Sequence, residues 1–174
     1  MNVVGIDSMI VIWAGCVPDL NTESWPKEKI EKRAEMKRRA TILFQLFTRK
    51  KWHIVLPTIA IAELLVKVPE AGKANLIAAL GKRFICPSFD PRAAAIASSL
   101  FSKFKSLPAD QQYQDRNVLK ADSMIIGSVI AAGATTFYSH DAAARRMAEL
   151  SIKGKDLPVR DPDGQFDFPD EQDE

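Results

Sequence analysis

The sequence predicts an α/β domain in which a mostly parallel sheet of four to five short strands is covered by helices on both faces. Short β-branched or aromatic runs at residues 3–6, 53–56, 84–86 and 135–138 alternate with segments of helical pattern. Crossovers of that length return each strand parallel to the last, and parallel sheets are covered on both faces. The 174 residues, 47% hydrophobic and 26% charged, suit one soluble domain large enough to bury a core.

Taken in order, Val3-Val4-Gly5-Ile6 forms the first strand and ends at Asp7, with Ser8 placed to cap a following helix. A polar stretch, 21–26, connects to a long helix over 27–50. Ala34, Ile42, Leu43, Leu46 and Phe47 give its second half an apolar face, while its first half is mostly charge and projects into solvent. Residues 53–56 form a second strand stopped by Pro57, and Thr58 caps an apolar helix over 59–67. A helix over 70–81 ends near Gly81, and a third strand over 84–86 is closed by Pro87. Next come a helix over 91–105, a loop over 107–114, and a helix over 117–132 that ends at Gly133. A fourth strand over 135–138 precedes a helix over 141–150, and residues 157–159 add an edge strand. No repeat and no second domain interrupt this order. Residues 1–160 read as the domain, with a long charged helical insertion near 27–51, and 161–174 as a disordered acidic tail.

The net charge of +2 hides an asymmetry. Residues 161–174 hold seven acids (Asp161, Asp163, Asp167, Asp170, Glu171, Asp173, Glu174) and no Lys or Arg, so the rest carries 24 basic against 15 acidic residues. Ten Lys and Arg against three Glu fall within 27–51. A basic body favours polyanionic partners, and an acidic tail can compete with them. The same basic segment also fits a solvated helix face. No run is long and apolar enough for a membrane span, and Asp7 interrupts any signal-like core. Cys16 and Cys86 form no CxxC pair and read as two buried thiols of a reducing compartment. The expected location is the cytoplasm.

The informative residues are acids placed where burial is expected, because an ionised carboxylate is costly to desolvate unless paired or bound to metal. Asp122 is the clearest. Val118, Leu119, Ile125 and Ile126 lie one turn away, so it sits within an apolar stripe. A buried cap or ion pair is the structural alternative. Glu63 lies in an apolar helix, though Lys67 at i+4 would also suit an exposed pair. Asp7 ends the first strand. Asp141 follows the fourth, where it would equally cap the next helix. In parallel sheets ligands bind beyond the carboxyl ends of the strands, which is where Asp7, Glu63 and Asp141 fall. Crowded carboxylates repel unless a cation sits among them, and all-oxygen ligands suit Mg²⁺ or Mn²⁺ rather than zinc.

These residues resemble the PIN-domain nuclease family. The resemblance rests on Val-Val-Gly-Ile-Asp7-Ser8, Leu-Pro57-Thr-Ile-Ala-Ile-Ala-Glu63, Lys-Ala-Asp122-Ser-Met-Ile-Ile-Gly-Ser-Val-Ile-Ala and Tyr-Ser139-His-Asp141, and spans roughly residues 2–160. It implies a three-layer α/β/α sandwich and Mg²⁺- or Mn²⁺-dependent cleavage of phosphodiester bonds, most often in RNA, leaving a 5′-phosphate and a 3′-hydroxyl. It also implies that Asp7, Asp122 and Asp141 hold metal, with Glu63 as a ligand or a water-orienting base. Ser139 would contact metal-bound water or phosphate. His140 stands where the family commonly has Asn or Arg, and reads as a surface-loop histidine. Many small bacterial members are toxins of VapBC-type pairs, held by an antitoxin and often dimeric. The long stretch between Asp7 and Glu63 departs from their compact form. Lys37, Arg38, Arg39, Arg49, Lys50 and Lys51 are candidate phosphate contacts, which supply affinity without sequence readout.

Rival classes fit less well. A non-catalytic PIN-fold module that binds RNA or protein would be marked by loss of an acid, and all four are present. A receiver domain needs an acceptor Asp where Leu56-Pro57-Thr58 stands, a DxD phosphatase needs an acid at Met9, and no Gly-rich P-loop occurs.

Overall fold

The computed structural model describes residues 2–17, 26–66, 68–108 and 115–164. Its four strands are β1 (Val3–Ile6), β2 (His53–Val55), β3 (Thr136–Tyr138) and β4 (Lys153–Lys155), all parallel and ordered β2-β1-β3-β4. The helices among the described residues are α1 (Ser8–Trp13), α2 (Lys27–Arg49), α3 (Thr58–Leu65), α4 (Glu70–Arg83), α5 (Pro91–Lys105), α6 (Arg116–Ala131) and α7 (Ala142–Glu149).

The pleat assigns the helices to two faces. Gly5 pairs in register with Phe137, and Phe137 with Gly154, so these three share one face. A Cβ on Gly5 would lie 2.2 Å from Val129 Cγ1, so the missing side chain is what lets α6 approach β1. At Gly154 a Cβ would meet the Arg145 carbonyl at 2.5 Å, which puts α7 on that same face. Ile6 and Tyr138 point the other way. There the Tyr138 ring packs edge-on against Phe47 of α2, with centroids 5.3 Å apart. The result is the expected three-layer α/β/α sandwich. Its core runs through Val4, Ile6, Leu43, Phe47, Val55, Ile126, Val129 and Phe137, all nearly or fully buried.

Several boundaries differ from the sequence reading. Asp7, not Ser8, is the N-cap of α1, and Ser8 becomes its first, buried residue. Pro57 occupies the cap position of α3 and Thr58 starts the helix. Helix α4 runs through Gly81 to Arg83. Residues 84–86 form no full strand. Ile85 makes one parallel bridge to Val55, donating to the Ile54 carbonyl and accepting from the Leu56 N–H, and Pro87 offers no donor to continue. The last strand falls on Lys153–Lys155 rather than 157–159, because Leu157 turns inward and is buried instead. Both cysteines are half-buried free thiols, and burial raises the pKa of each. Residues 161–164 of the acidic tail belong to the described structure, while 165–174 lie outside it, as do most of the expected connection over 21–26, most of the 107–114 loop, and Lys67. No described helix is long and apolar enough to cross a membrane.

Candidate active site

Strand order places the site. The chain leaves β1 toward β2 on one side and later returns to β3 on the other, so the connections after β1 and β3 part company beyond their carboxyl ends. Open α/β sheets bind ligands at such a divergence. Asp7 follows β1 directly, and its N–H donates to the Tyr138 carbonyl (3.1 Å), tying the two strand ends together. Ser139, His140 and Asp141 follow β3.

Two hydroxyls link the residues that follow β1, β2 and β3. Ser8 Oγ lies 2.9 Å from Glu63 Oε2 and 3.2 Å from Asp7 Oδ1, linking the carboxylates of α1's cap and of α3. Ser139, fully buried, donates to Asp7 Oδ2 (2.7 Å) and accepts from the Asp141 N–H (3.0 Å). Glu63 is exposed as a residue, not buried as its apolar helix suggests, because it lies on the outer side of α3. Partial desolvation of its carboxyl beside Ser8 raises its pKa. The Ser8 hydrogen bond opposes that shift, and the like charge of Asp7 adds to it. No described residue forms an ion pair with Asp7, Glu63 or Asp141.

Asp141 does what its position after a strand also allows. Its Oδ1 caps α7, accepting from the N–H groups of Ala143 (2.6 Å) and Ala144 (3.1 Å). Asp122 is half-buried on α6, two turns before Val129 and hence about 10 Å along the helix. Since α6 ends where β3 begins, it runs against the strands, and those two turns carry Asp122 toward their carboxyl ends. Hydrogen bonds connect Asp7, Glu63 and the Asp141 backbone. Among the described residues no three Asp, Glu, His or Cys side chains close into a group that could hold a metal ion. The donor chemistry that is present, carboxylates and hydroxyls without a neutralising cation, suits a hard divalent ion.

Four of the six basic candidates on and just after α2 are engaged elsewhere. Arg38 binds Glu35 (2.8 Å), and Arg39 binds Asp156 (3.2 Å) and the Leu157 carbonyl. Arg49 makes a fork onto Asp161 (2.7 and 2.8 Å) and also reaches Asp163 (2.9 Å), which Lys50 shares (2.9 Å). Lys37 is half-buried, and Lys51 is exposed at φ 52° where the chain leaves the helix.

Sequence reasoning misses Ser8 as a bridge and reads His140 as a plain surface residue. His140 instead packs edge-on to Trp13, with centroids 6.0 Å apart, and bonds Asp156. The serine directly after Asp7 is the available signal for the first. The second has none, since Asp156 follows another strand.

No protein-family model matches the sequence, and no curated protein matches it. A search of solved structures finds a chain in the crystal structure of VapBC2 from Rickettsia felis bound to a DNA fragment from their promoter. The superposition covers 90% of this chain and 99% of that one, with a TM-score of 0.56 and 13% sequence identity. At that identity the likeness shows a shared fold: an α/β/α sandwich around a parallel sheet.

Proposed function

We propose that this protein is a divalent-metal-dependent nuclease that hydrolyses phosphodiester bonds in RNA. The observation that carries the reading is the set of carboxylates Asp7, Glu63 and Asp141 at the divergence of β1 and β3, none of which has an ion-pair partner among the described residues. Uncompensated negative charge in one place favours a cation. Asp7, Glu63, Asp122 and Asp141 would hold Mg²⁺ or Mn²⁺. Bound there, the metal supplies charge for the scissile phosphate and a water of lowered pKa.

The chain's own groups do the rest. Ser8 and Ser139 orient the Asp7 and Glu63 carboxylates, while Asp141 keeps its Oδ2 outside the helix cap. Glu63, held by the Ser8 hydroxyl beside Asp7, would bind the metal or orient the attacking water. The likeness to VapBC2 supports adding a VapC-like toxin role, with an antitoxin-type protein or a second copy of this chain as partner, in the cytoplasm.

The test is cleavage of a labelled RNA in Mn²⁺ or Mg²⁺, with end-group analysis. We expect 5′-phosphate and 3′-hydroxyl products that vanish in EDTA. Cleavage that persists in EDTA, or that leaves cyclic phosphate ends, defeats the proposal. A second reading, a binding module without catalysis, draws on the commitment of Asp141 Oδ1 to its helix cap. It forecasts RNA or protein binding with no turnover in any divalent metal.

A further inference from the structure

Asp156 follows β4 directly, beside the loop that leaves β3, and two guanidinium groups meet there. Its Oδ2 lies 3.2 Å from Arg39 Nη2, and its Oδ1 is 3.6 Å from Arg145 Nη1. That second oxygen also accepts from the Leu157 N–H (2.7 Å) and lies 3.1 Å from His140 Nδ1. Burial would raise the pKa of Asp156. The His140, Leu157 and Arg39 hydrogen bonds outweigh that and hold it below the ordinary aspartate range. Arg145 in turn donates to the carbonyls of Ser139 (2.8 Å) and His140 (2.7 Å). Ser139 is the residue whose hydroxyl reaches Asp7.

We propose that Asp156 is a positioning residue: it holds Arg145 and His140 so that the 139–141 loop presents Ser139 to Asp7 and Asp141 to the site. This rests on the nuclease reading for its consequence, though not for its geometry. Two guanidiniums converge on one carboxylate. Without that charge Arg39 and Arg145 repel, and Arg145 loses what keeps it over the two loop carbonyls. Asp156 makes no hydrogen bond or ion pair with Asp7, Glu63 or Asp141 in the described structure, so it acts through the loop. Groups that orient metal ligands in this way change metal affinity or activity about 10–100-fold when removed.

The experiment compares wild type, Asp156→Asn and Asp156→Glu. Amide exchange is followed by NMR in metal-free protein, beside Mn²⁺ affinity and the kcat and KM for RNA cleavage. Asp156→Asn should speed exchange of the Asp141, Ala143 and Ala144 amides while leaving α5 and α6 as they are. Mn²⁺ affinity or kcat should fall about 10–100-fold with KM little changed, and Asp156→Glu should recover part of the loss. Unchanged exchange at the three amides overturns the proposal. Exchange that quickens uniformly along the chain also overturns it, in favour of a general bolt. If Asp156→Asn does not fold, Arg145→Met carries the same comparison, since it removes the Nη1 donor that serves both loop carbonyls. A wild type that neither binds Mn²⁺ nor cleaves RNA ends the nuclease reading alone, and the amide data still decide the role of Asp156.

Discussion

Two groups of acids in this chain are treated in opposite ways. Asp156, Asp161 and Asp163 each face Arg or Lys side chains, and the Asp161 side chain is 2% exposed beneath a bidentate Arg49. Asp7, Glu63 and Asp141 hold only hydroxyls and backbone N–H groups, with no ion pair among the described residues. The first group fastens the segment 156–163 to α2 and the residue after it. The second leaves negative charge uncompensated where the sheet topology opens. Protein folding alone favours the first arrangement, so the second is where a function is to be sought.

The largest effect should come from removing a site acid. Asp7→Asn keeps one acceptor oxygen, which can serve Ser139 or the α1 cap but not both, and removes a charge that opposes Glu63. Cleavage should fall by orders of magnitude in Mn²⁺, while the melting temperature in EDTA holds or rises. Asp122→Asn tests whether that residue belongs to the same group. A site acid gives the same pattern. A buried ion-pair acid instead costs about 3–5 kcal/mol with or without metal, and leaves cleavage by the folded fraction intact. Melts in EDTA and in Mn²⁺, beside the nuclease assay, separate the two.

The paired group should show the reverse. Arg49→Met takes the bidentate cation from the nearly buried Asp161 carboxylate, so the melting temperature should drop by several degrees in EDTA and Mn²⁺ alike. Arg49→Met with Asp161→Asn should lose less than the two single losses added, because the pair acts as a unit. Full additivity would show that the fork contributes nothing as a pair.

Much of this contrast is legible in the amino-acid sequence, and some is not. Asp122 announces itself by interrupting an apolar stripe, and Asp7 and Asp141 by following short strands. Helix α5 matches its pattern to the residue, because Asp90 caps it and Ala-rich spacing marks its buried side. Strand β4 is invisible there. Lys-Gly-Lys has no apolar alternation, and the strand exists because Gly154 allows α7 to lie against it. The Asp156 network is hidden for a related reason: Arg39, His140 and Arg145 come from other elements, and only the fold brings them together.

A smaller effect concerns Glu63 and pH. Its pKa is raised by partial desolvation of the carboxyl, with Asp7 adding to the shift, so the folded state holds a proton that the unfolded state releases first. For such a group stability falls as pH climbs from the ordinary glutamate range through the raised folded value, and the penalty persists above it. Metal-free wild type should therefore lose melting temperature across that window, and Glu63→Gln should flatten the profile. Identical slopes for the two proteins would place the pH dependence elsewhere. Mn²⁺ should stabilise wild type more above the window than below it, since binding competes with the proton.

The smallest expected effect tests the boundary between the two groups. Asp161 and Asp163 already occupy Arg49 and Lys50, the cations that a polyanion would otherwise meet at the end of α2. The five further acids of residues 165–174 follow directly on this clasp. If the tail competes with RNA for the basic surface, truncation after Gly164 should raise RNA affinity modestly at low salt. Truncation after Arg160, which also removes Asp161 and Asp163 from Arg49 and Lys50, should raise it further. Both gains should fade as salt screens exposed charge, because interactions beyond about 8–10 Å are largely lost near physiological ionic strength. The second truncation should also cost stability, through loss of the Arg49 fork. Binding curves at two salt concentrations and a thermal melt separate these contributions. Equal RNA affinity of all three forms at low salt would make the clasp a purely structural fastening, and would remove Arg49 and Lys50 from the RNA-binding surface.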